Sequence, residues 1–345
     1  MSETTTIDRS SGQRKKAPEG LRLRPYAGET DIHAIAEIVN RELEHDGVPF
    51  REPEEDIRVW LSNPNEKFDA SRDVTIAEID GVPIGYGQRS WVDTTIELFR
   101  EYRNDGAVLP EWQRRGIGTA ILANNIEKSR ELARTHVTDL PRVMGSFTSD
   151  RMPGSNALLR DFGFEQTRWF FEMTRDLSQP IPDLPLPDGL EVRPVTDETI
   201  RQIWDADVEA FQDHWGGFDG SEENFKRFLA RPAFDPTLWI IAWDGDEVAG
   251  GVVNAIEAGE NEMLGVKRGW LHSVFTRRAW RKRGLANALI NRSMAAIRDR
   301  GMDTGILGVD ADNPTGALGL YERNGFVVAE RSTAWRKPLD LEENT

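Results

Sequence analysis

Apolar residues in this chain recur with two different periods, and each switch of period marks an element boundary. In "TDIHAIAEIVNREL" (30–43), Ile32, Ile35, Ala36 and Val39 fall three and four positions apart, which predicts an amphipathic helix. The short run "LRLRP" (21–25) before it reads as a strand. "DVTIAEID" (73–80) and "PIGYGQRSWV" (83–92) predict two more strands, joined at the turn dipeptide Asp80-Gly81. "TTIELFREYRNDGAVL" (94–109) supplies a further strand, followed by a basic loop and a long helix. "VMGSFTS" (143–149) is a late strand, "SNALLRDF" (155–162) a helix, and "RWFFEMTRDL" (168–177) a closing strand. A second series tracks the first: a hairpin in 238–257, the strand "RGWLHSVFT" (268–276), loop, helix, "GILGVDAD" (305–312), "PTGALGLYERNGF" (314–326) and a last strand. Strands first, then strand–helix–strand–helix–strand, is an α+β order around a mixed sheet.

The repetition is visible in the letters. "GLRLRP" at 20–25 returns as "GLEVRP" at 189–194. Gly116 of the first basic loop matches Gly284 of the second, 168 residues on, and "RDFGF" (160–164) matches "ERNGF" (322–326). Three landmarks in one order at nearly one spacing indicate duplication of a whole domain. The predicted units are 20–177 and 189–340. Between them the prolines of "SQPIPDLPLPD" (178–188) predict a stiff, extended linker. Residues 1–19 have no apolar core and read as a solvated tail.

Composition narrows the function. The length of 345 residues suits about two domains. A net charge of −16 disfavours nonspecific nucleic-acid binding, so local basic clusters stand out. The absence of cysteine excludes disulfides, thiolate zinc sites and a Cys nucleophile, and is compatible with the cytoplasm. No apolar run is long enough to span a membrane, and no metal-ligand motif occurs.

The two loops, "WQRRGIGTAIL" (112–122) and "WRKRGLANALI" (280–290), each stand between a predicted strand and a helix. A helix start offers unpaired N–H groups and partial positive charge, and glycine lets an anion approach the backbone. Such an element can cradle a pyrophosphate. An alternative is a nucleic-acid patch, because "RRAWRKR" (277–283) holds five basic residues and Trp280.

"QRRGIG" (113–118) and "RKRGLA" (281–286) resemble the Gln/Arg-x-x-Gly-x-Gly/Ala signature of the GCN5-related N-acetyltransferase (GNAT) superfamily. "NPTGALGLYERNGF" (313–326) resembles its later Asn…Leu-Tyr…Gly-Phe segment, and the tandem layout is similar to that of mycothiol synthases. The resemblance implies two acetyl-CoA-binding folds. Gln113, Arg114, Arg115, Gly116, Ile117 and Gly118 would form one pyrophosphate loop. Arg281, Lys282, Arg283, Gly284, Leu285 and Ala286 would form the other, with Asn313 nearby. Val274, Phe275 and Thr276 would supply the backbone donor to the thioester. Tyr321 stands where the superfamily often keeps an acid near the sulfur. The matching residue of the first copy, Leu159, cannot donate a proton. The second copy is therefore expected to do the chemistry, and the first to bind CoA without turnover or to shape the substrate cleft.

Acetyl transfer also needs a base and an acceptor pocket. His272 on the strand before the second loop, Glu257 at the end of a neighbouring strand and Asp310 after a buried strand are candidate bases. Each also reads as an ordinary packed or turn residue. Asp213, His214 and Trp215, in "FQDHWGG" (211–217), are candidates for acceptor recognition. The expected reaction is acetyl transfer from acetyl-CoA to a primary amine, without a metal, on a small molecule. A protein lysine or N-terminus, or a noncatalytic acyl-CoA sensor, is the alternative. Expected partners exclude nucleic acid and membrane, and the chain would be a monomer or homodimer.

Overall fold

A computed structural model describes residues 17–94, 96–213, 215, 219–313 and 316–341. The predicted tail therefore lies mostly outside the described residues, as does His214. Twelve strands among them form one sheet: β1 (Arg22–Pro25), β2 (Val74–Ile79), β3 (Val82–Asp93), β4 (Arg100–Val108), β5 (Arg142–Ser149), β6 (Glu165–Asp176), β7 (Glu191–Arg193), β8 (Ile240–Asp244), β9 (Glu247–Ala255), β10 (Arg268–Thr276), β11 (Thr304–Asp310) and β12 (Val327–Pro338). The α-helices are α1 (Glu29–His45), α2 (Glu54–Leu61), α3 (Ala70–Asp73), α4 (Ile117–Thr135), α5 (Pro153–Asp161), α6 (Asp197–Ala210), α7 (Glu222–Leu229), α8 (Ala258–Leu264), α9 (Leu285–Asp299) and α10 (Ala317–Arg323).

Local rules account for most of these elements. The helical stripe of α1 puts Ile32, Ile35 and Ile38 at 1–2% exposure against β2–β4. Asp80 and Gly81, at φ 51° and 78°, form the two-residue turn between β2 and β3, a hand that matches the twist of a hairpin. Strand 94–109 begins later than its letters suggest, at Arg100, because Thr94 closes a loop by bonding to Phe99 O through both its amide and its hydroxyl.

The strand order is β1-β2-β3-β4-β5-β12-β6-β11-β10-β9-β8-β7. The pairing is antiparallel except for β4 with β5 and β10 with β11. The pattern of the letters assigns each closing strand to its own half. In the fold they are exchanged: β12 pairs with β5, β6 pairs with β11, and the two run antiparallel to each other at the centre. The cores follow the exchange. Trp335 of β12, 1% exposed, packs with Tyr102, Leu122 and Met144 of the first half and donates to Thr148 Oγ1 at 2.8 Å. Met173 and Leu177 from the first half pack with Leu289 and Phe326 of the second. Arg336 bonds Glu101 at 2.8 Å, and Arg168, its counterpart 168 residues earlier, bonds Asp310. In each half, one core cluster is completed by residues of the other half's last strand.

Candidate active site

Each basic loop follows its strand through one 3-10 turn, Pro110–Trp112 or Arg278–Trp280, and opens a helix. The backbones coincide. Arg114 and Lys282 lie at φ 60° and 61°, and Gly116 and Gly284 at 85° and 86°. No side chain caps α4 or α9, so their first-turn amides face outward from a left-handed bend, an arrangement suited to an anion. A Cβ at Gly284 would meet nothing within 4 Å, so glycine is required there for backbone hand rather than for space.

The first motif position is a staple. Gln113 Nε2 donates to Val108 O at 3.3 Å, and Arg281 Nε donates to Thr276 O at 3.0 Å. Both tie the loop to the last carbonyl of the preceding strand. Arg115 lies 4.9 Å over Trp112, and Arg283 reaches Asp188 O at 3.2 Å. Ile117 and Leu285, each 1% exposed, pin the helix start beneath the loop. Gly118 places α4 in contact range of Leu158, and Ala286 takes the matching place on α9. The predicted loop residues thus present backbone to the cradle, while several of their side chains hold protein.

In the second half, β10 pairs with β11 only over Arg268–Trp270. Beyond that point the two strands part. On its other edge β10 pairs with β9, with a register shift between Leu271 and Ser273 that leaves His272 as a bulged residue. Two candidate bases meet there: His272 Nε2 lies 2.8 Å from Glu257 Oε1. Arg231 donates to the same oxygen at 2.6 Å, and Trp270 stacks on the imidazole at 5.2 Å. Burial pushes the His272 pKa down, and the bond to Glu257 only partly offsets this. Burial pushes Glu257 up, but His272 and Arg231 outweigh it and hold the carboxyl below its ordinary value. Glu257 itself precedes α8 rather than ending β9.

Val274, Phe275 and Thr276 continue β10 along the parted edge, and Thr276 Oγ1 is buried without a hydrogen-bond partner. Tyr321 on α10 is 7% exposed and packs edge-on to Phe326. Burial drives its pKa well up, and its hydroxyl has no hydrogen-bond partner among the described residues. Asp310 is committed elsewhere: its carboxylate takes two bonds from Arg168, at 2.8 and 2.7 Å, and is 2% exposed. Asn313 lies in the turn between β11 and α10 and accepts from Gly316 N at 3.2 Å. Asp213 ends a 3-10 turn, but its side chain lies outside the described residues. Trp215 packs beneath Arg336 and Arg168, 4.1 and 5.3 Å away, against the exchanged strands.

The first half holds a cavity of about 360 Å³ where β4 and β5 part, beyond the pairing of Arg103 with Gly145. Its lining includes Arg114, Gly116 and Leu159 together with four carboxyl groups, Glu42, Asp46, Asp105 and Asp161, that the motif reading missed. One signal for them was present: Glu42 falls on the buried stripe of α1, four positions after Ile38.

A family model described as "Acetyltransferase (GNAT) family" matches residues 33–164 and again 200–326. The chain is 28% identical over 318 residues to a mycothiol acetyltransferase of Geodermatophilus obscurus, covering 89% of this chain and 94% of that protein. It is 30% identical over 260 residues to a mycothiol acetyltransferase of Salinispora arenicola, covering 73% and 77%. Its fold is similar to a GCN5-related N-acetyltransferase from Sphaerobacter thermophilus, with a TM-score of 0.70 at 24% identity over 94% of this chain and 97% of that one. It is also similar to a tandem GNAT protein from the clavulanic acid biosynthesis pathway, with a TM-score of 0.69 at 16% identity over 94% and 100%. Two uncapped anion cradles on parting parallel strands, matched twice by one family model, identify the chain as a tandem member of the acetyltransferase (GNAT) family, an acetyl-CoA-dependent N-acetyltransferase.

Proposed function

We propose that the chain transfers acetyl from acetyl-CoA to a primary amine of a small molecule by direct attack, and that its second half performs the transfer. The observation that carries this reading is the meeting of His272 and Glu257 at the bulge of β10, where the strand leaves β11. The small-molecule acceptor class is supported by the relatives, which are named for mycothiol. The first loop, with Gln113–Gly118, holds a second acetyl-CoA.

The uncapped amides of α9 behind Gly284, with Lys282 at the mouth, fit the pyrophosphate. The free edge at Val274–Thr276 fits the pantetheine and offers an N–H to the thioester oxygen, where negative charge grows during attack. His272 Nε2–H donates to Glu257, which fixes the ring and leaves Nδ1 to take a proton from the acceptor ammonium. The freed nitrogen bonds to the carbonyl carbon, and the C–S bond breaks with its pair on sulfur. Tyr321, kept protonated by burial, gives its proton to the thiolate and recovers one from the new amide nitrogen. Asp213, His214 and Trp215 contribute to acceptor recognition. The exchanged strands supply within one chain the contact that two copies would make, which favours a monomer.

The test is CoA release across pH for wild type, His272→Gln and Tyr321→Phe. Wild type shows an acid limb below the ordinary histidine value of 6.5. His272→Gln loses that limb and roughly a hundredfold in kcat. Tyr321→Phe lowers kcat while leaving the acetyl-CoA KM near wild type. A wild-type limb that persists unchanged in His272→Gln overturns the assignment of the base.

A further inference from the structure

Buried carboxylates in this protein are usually paired with arginine. Asp31 has Arg24 at 2.7 Å, Asp73 has Arg72 at 2.6 Å, Glu101 has Arg336 at 2.8 Å, and Asp310 has Arg168 at 2.7 Å. Three of the carboxyls lining the first-half cavity, Glu42, Asp46 and Asp105, break the rule. Glu42 is buried, and Asp105 opens onto the cavity itself. Among the described residues, neither they nor Asp46 and the neighbouring Glu52 form an ion pair with arginine or lysine. His45, next to Asp46 in the chain, only partly offsets the burial of that carboxyl. Asp207 of the second half, 5% exposed, likewise has no arginine among the described residues but is met by Ser273 Oγ at 2.7 Å. Several carboxyls left together on one cavity are costly and point to a cation supplied from outside.

A second observation agrees. Asn104 and Asn125 line the same cavity at 4% and 1% exposure, and each has a buried Oδ1 without a hydrogen-bond partner. The Asn104 amide is spent on Tyr102 O and Gly145 O, at the point where β4 and β5 part. Asn104 and Asp105 are neighbours on β4 and so face opposite sides of the sheet. The cavity reaches both because the strands have separated. The cavity lining therefore combines oxygens that accept with Arg114 and the amides behind Gly116. A donor-rich cation suits the first and a pyrophosphate suits the second.

We propose that the first half is a second acetyl-transfer centre, which takes a primary amine with its ammonium between Asp105 and Glu42 and uses Asp105 as the proton acceptor. This rests on the reading that the first loop holds acetyl-CoA. Asp105 is held in place by bonds from Gly106 N at 2.7 Å and Gln88 Nε2 at 3.3 Å. It takes one proton from the ammonium. The nitrogen bonds to the thioester carbon, and the C–S bond breaks with its pair on sulfur. The second nitrogen proton goes to the thiolate through water, because Leu159 stands where the second half has Tyr321. The products are the acetamide and CoA thiol, and Asp105 returns one proton to solvent.

The experiment uses the full chain carrying Gly284→Asp, which sets an anion in the second cradle, alone and combined with Asp105→Asn or Asp105→Glu. CoA thiol is read with a chromogenic disulfide, to which a chain without cysteine contributes no background. Acceptors are cadaverine, glucosamine and lysine methyl ester, and acetyl-CoA binding is measured by calorimetry. The expected result is amine-dependent release by Gly284→Asp, reduced roughly a hundredfold by Asp105→Asn and partly restored by Asp105→Glu, with acetyl-CoA affinity unchanged. If Gly284→Asp binds acetyl-CoA but none of the three amines raises release, the second centre is refuted while the cofactor reading stands. Release undiminished by Asp105→Asn leaves no role for this carboxyl and refutes the proposal as well. Loss of all acetyl-CoA binding in Gly284→Asp removes the underlying reading of the first loop.

Discussion

Replacing Glu42 by Gln tests whether the cavity wall has the electrostatics described above. Glu42 is 6% exposed and accepts from Gln113 Nε2 at 3.1 Å and Val108 N at 3.4 Å. Burial, reinforced by Asp46 and Asp105, raises its pKa from 4.5 to about 8 against the effect of those bonds. The folded state thus holds this proton more tightly than the unfolded state. Its contribution to stability is fully present below pH 4.5 and is lost as pH rises through about 8. At about 1.36 kcal/mol per pKa unit, the loss saturates on the order of 5 kcal/mol, less whatever water in the cavity screens. Glutamine keeps the shape and cannot titrate. Urea denaturation at pH 5, 7 and 8.5 should show the two proteins close together at pH 5. The Gln variant should be more stable by several kcal/mol at pH 8.5. Parallel pH curves for the two proteins would refute the reasoning.

Gly116→Ala and Gly284→Ala should each cost about 1–2 kcal/mol in thermal or urea unfolding, because both hold a left-handed φ that a side chain disfavours. Each should also weaken acetyl-CoA binding in calorimetry at its own loop. Asp310→Ala leaves the Arg168 charge without its partner and should destabilise the fold by about 3–5 kcal/mol. If Asp310 were instead the base, that variant would lose activity at wild-type stability, which unfolding and turnover measured together distinguish.

The duplication, the two basic-glycine loops and the mixed sheet were legible because each rests on local rules. Gly116 and Gly284 are needed where the chain must turn left-handed into a helix, and that need survives any tertiary context. The stripe of α1 and the Asp80-Gly81 turn are local in the same way. Ranking His272, Glu257 and Asp310 was beyond the letters. All three stand near strand ends, and only the fold brings the first two within 2.8 Å and gives the third to Arg168.

Which half owns which closing strand was likewise decided in three dimensions. β6 and β12 are similar segments with similar apolar faces, so the sequence by itself determined that two strands would close two sheets. The tertiary structure decided that they cross, because Trp335 fits the first core and Met173 the second, and the two strands then pair with each other. The same holds for the unpaired carboxyls. Composition counts Glu42 and Asp105 among 59 acidic residues, and only packing shows that they share a cavity wall without an arginine of their own. Burial and partnership are properties of neighbours far apart in the chain, and they set the chemistry of a carboxyl more than its identity does.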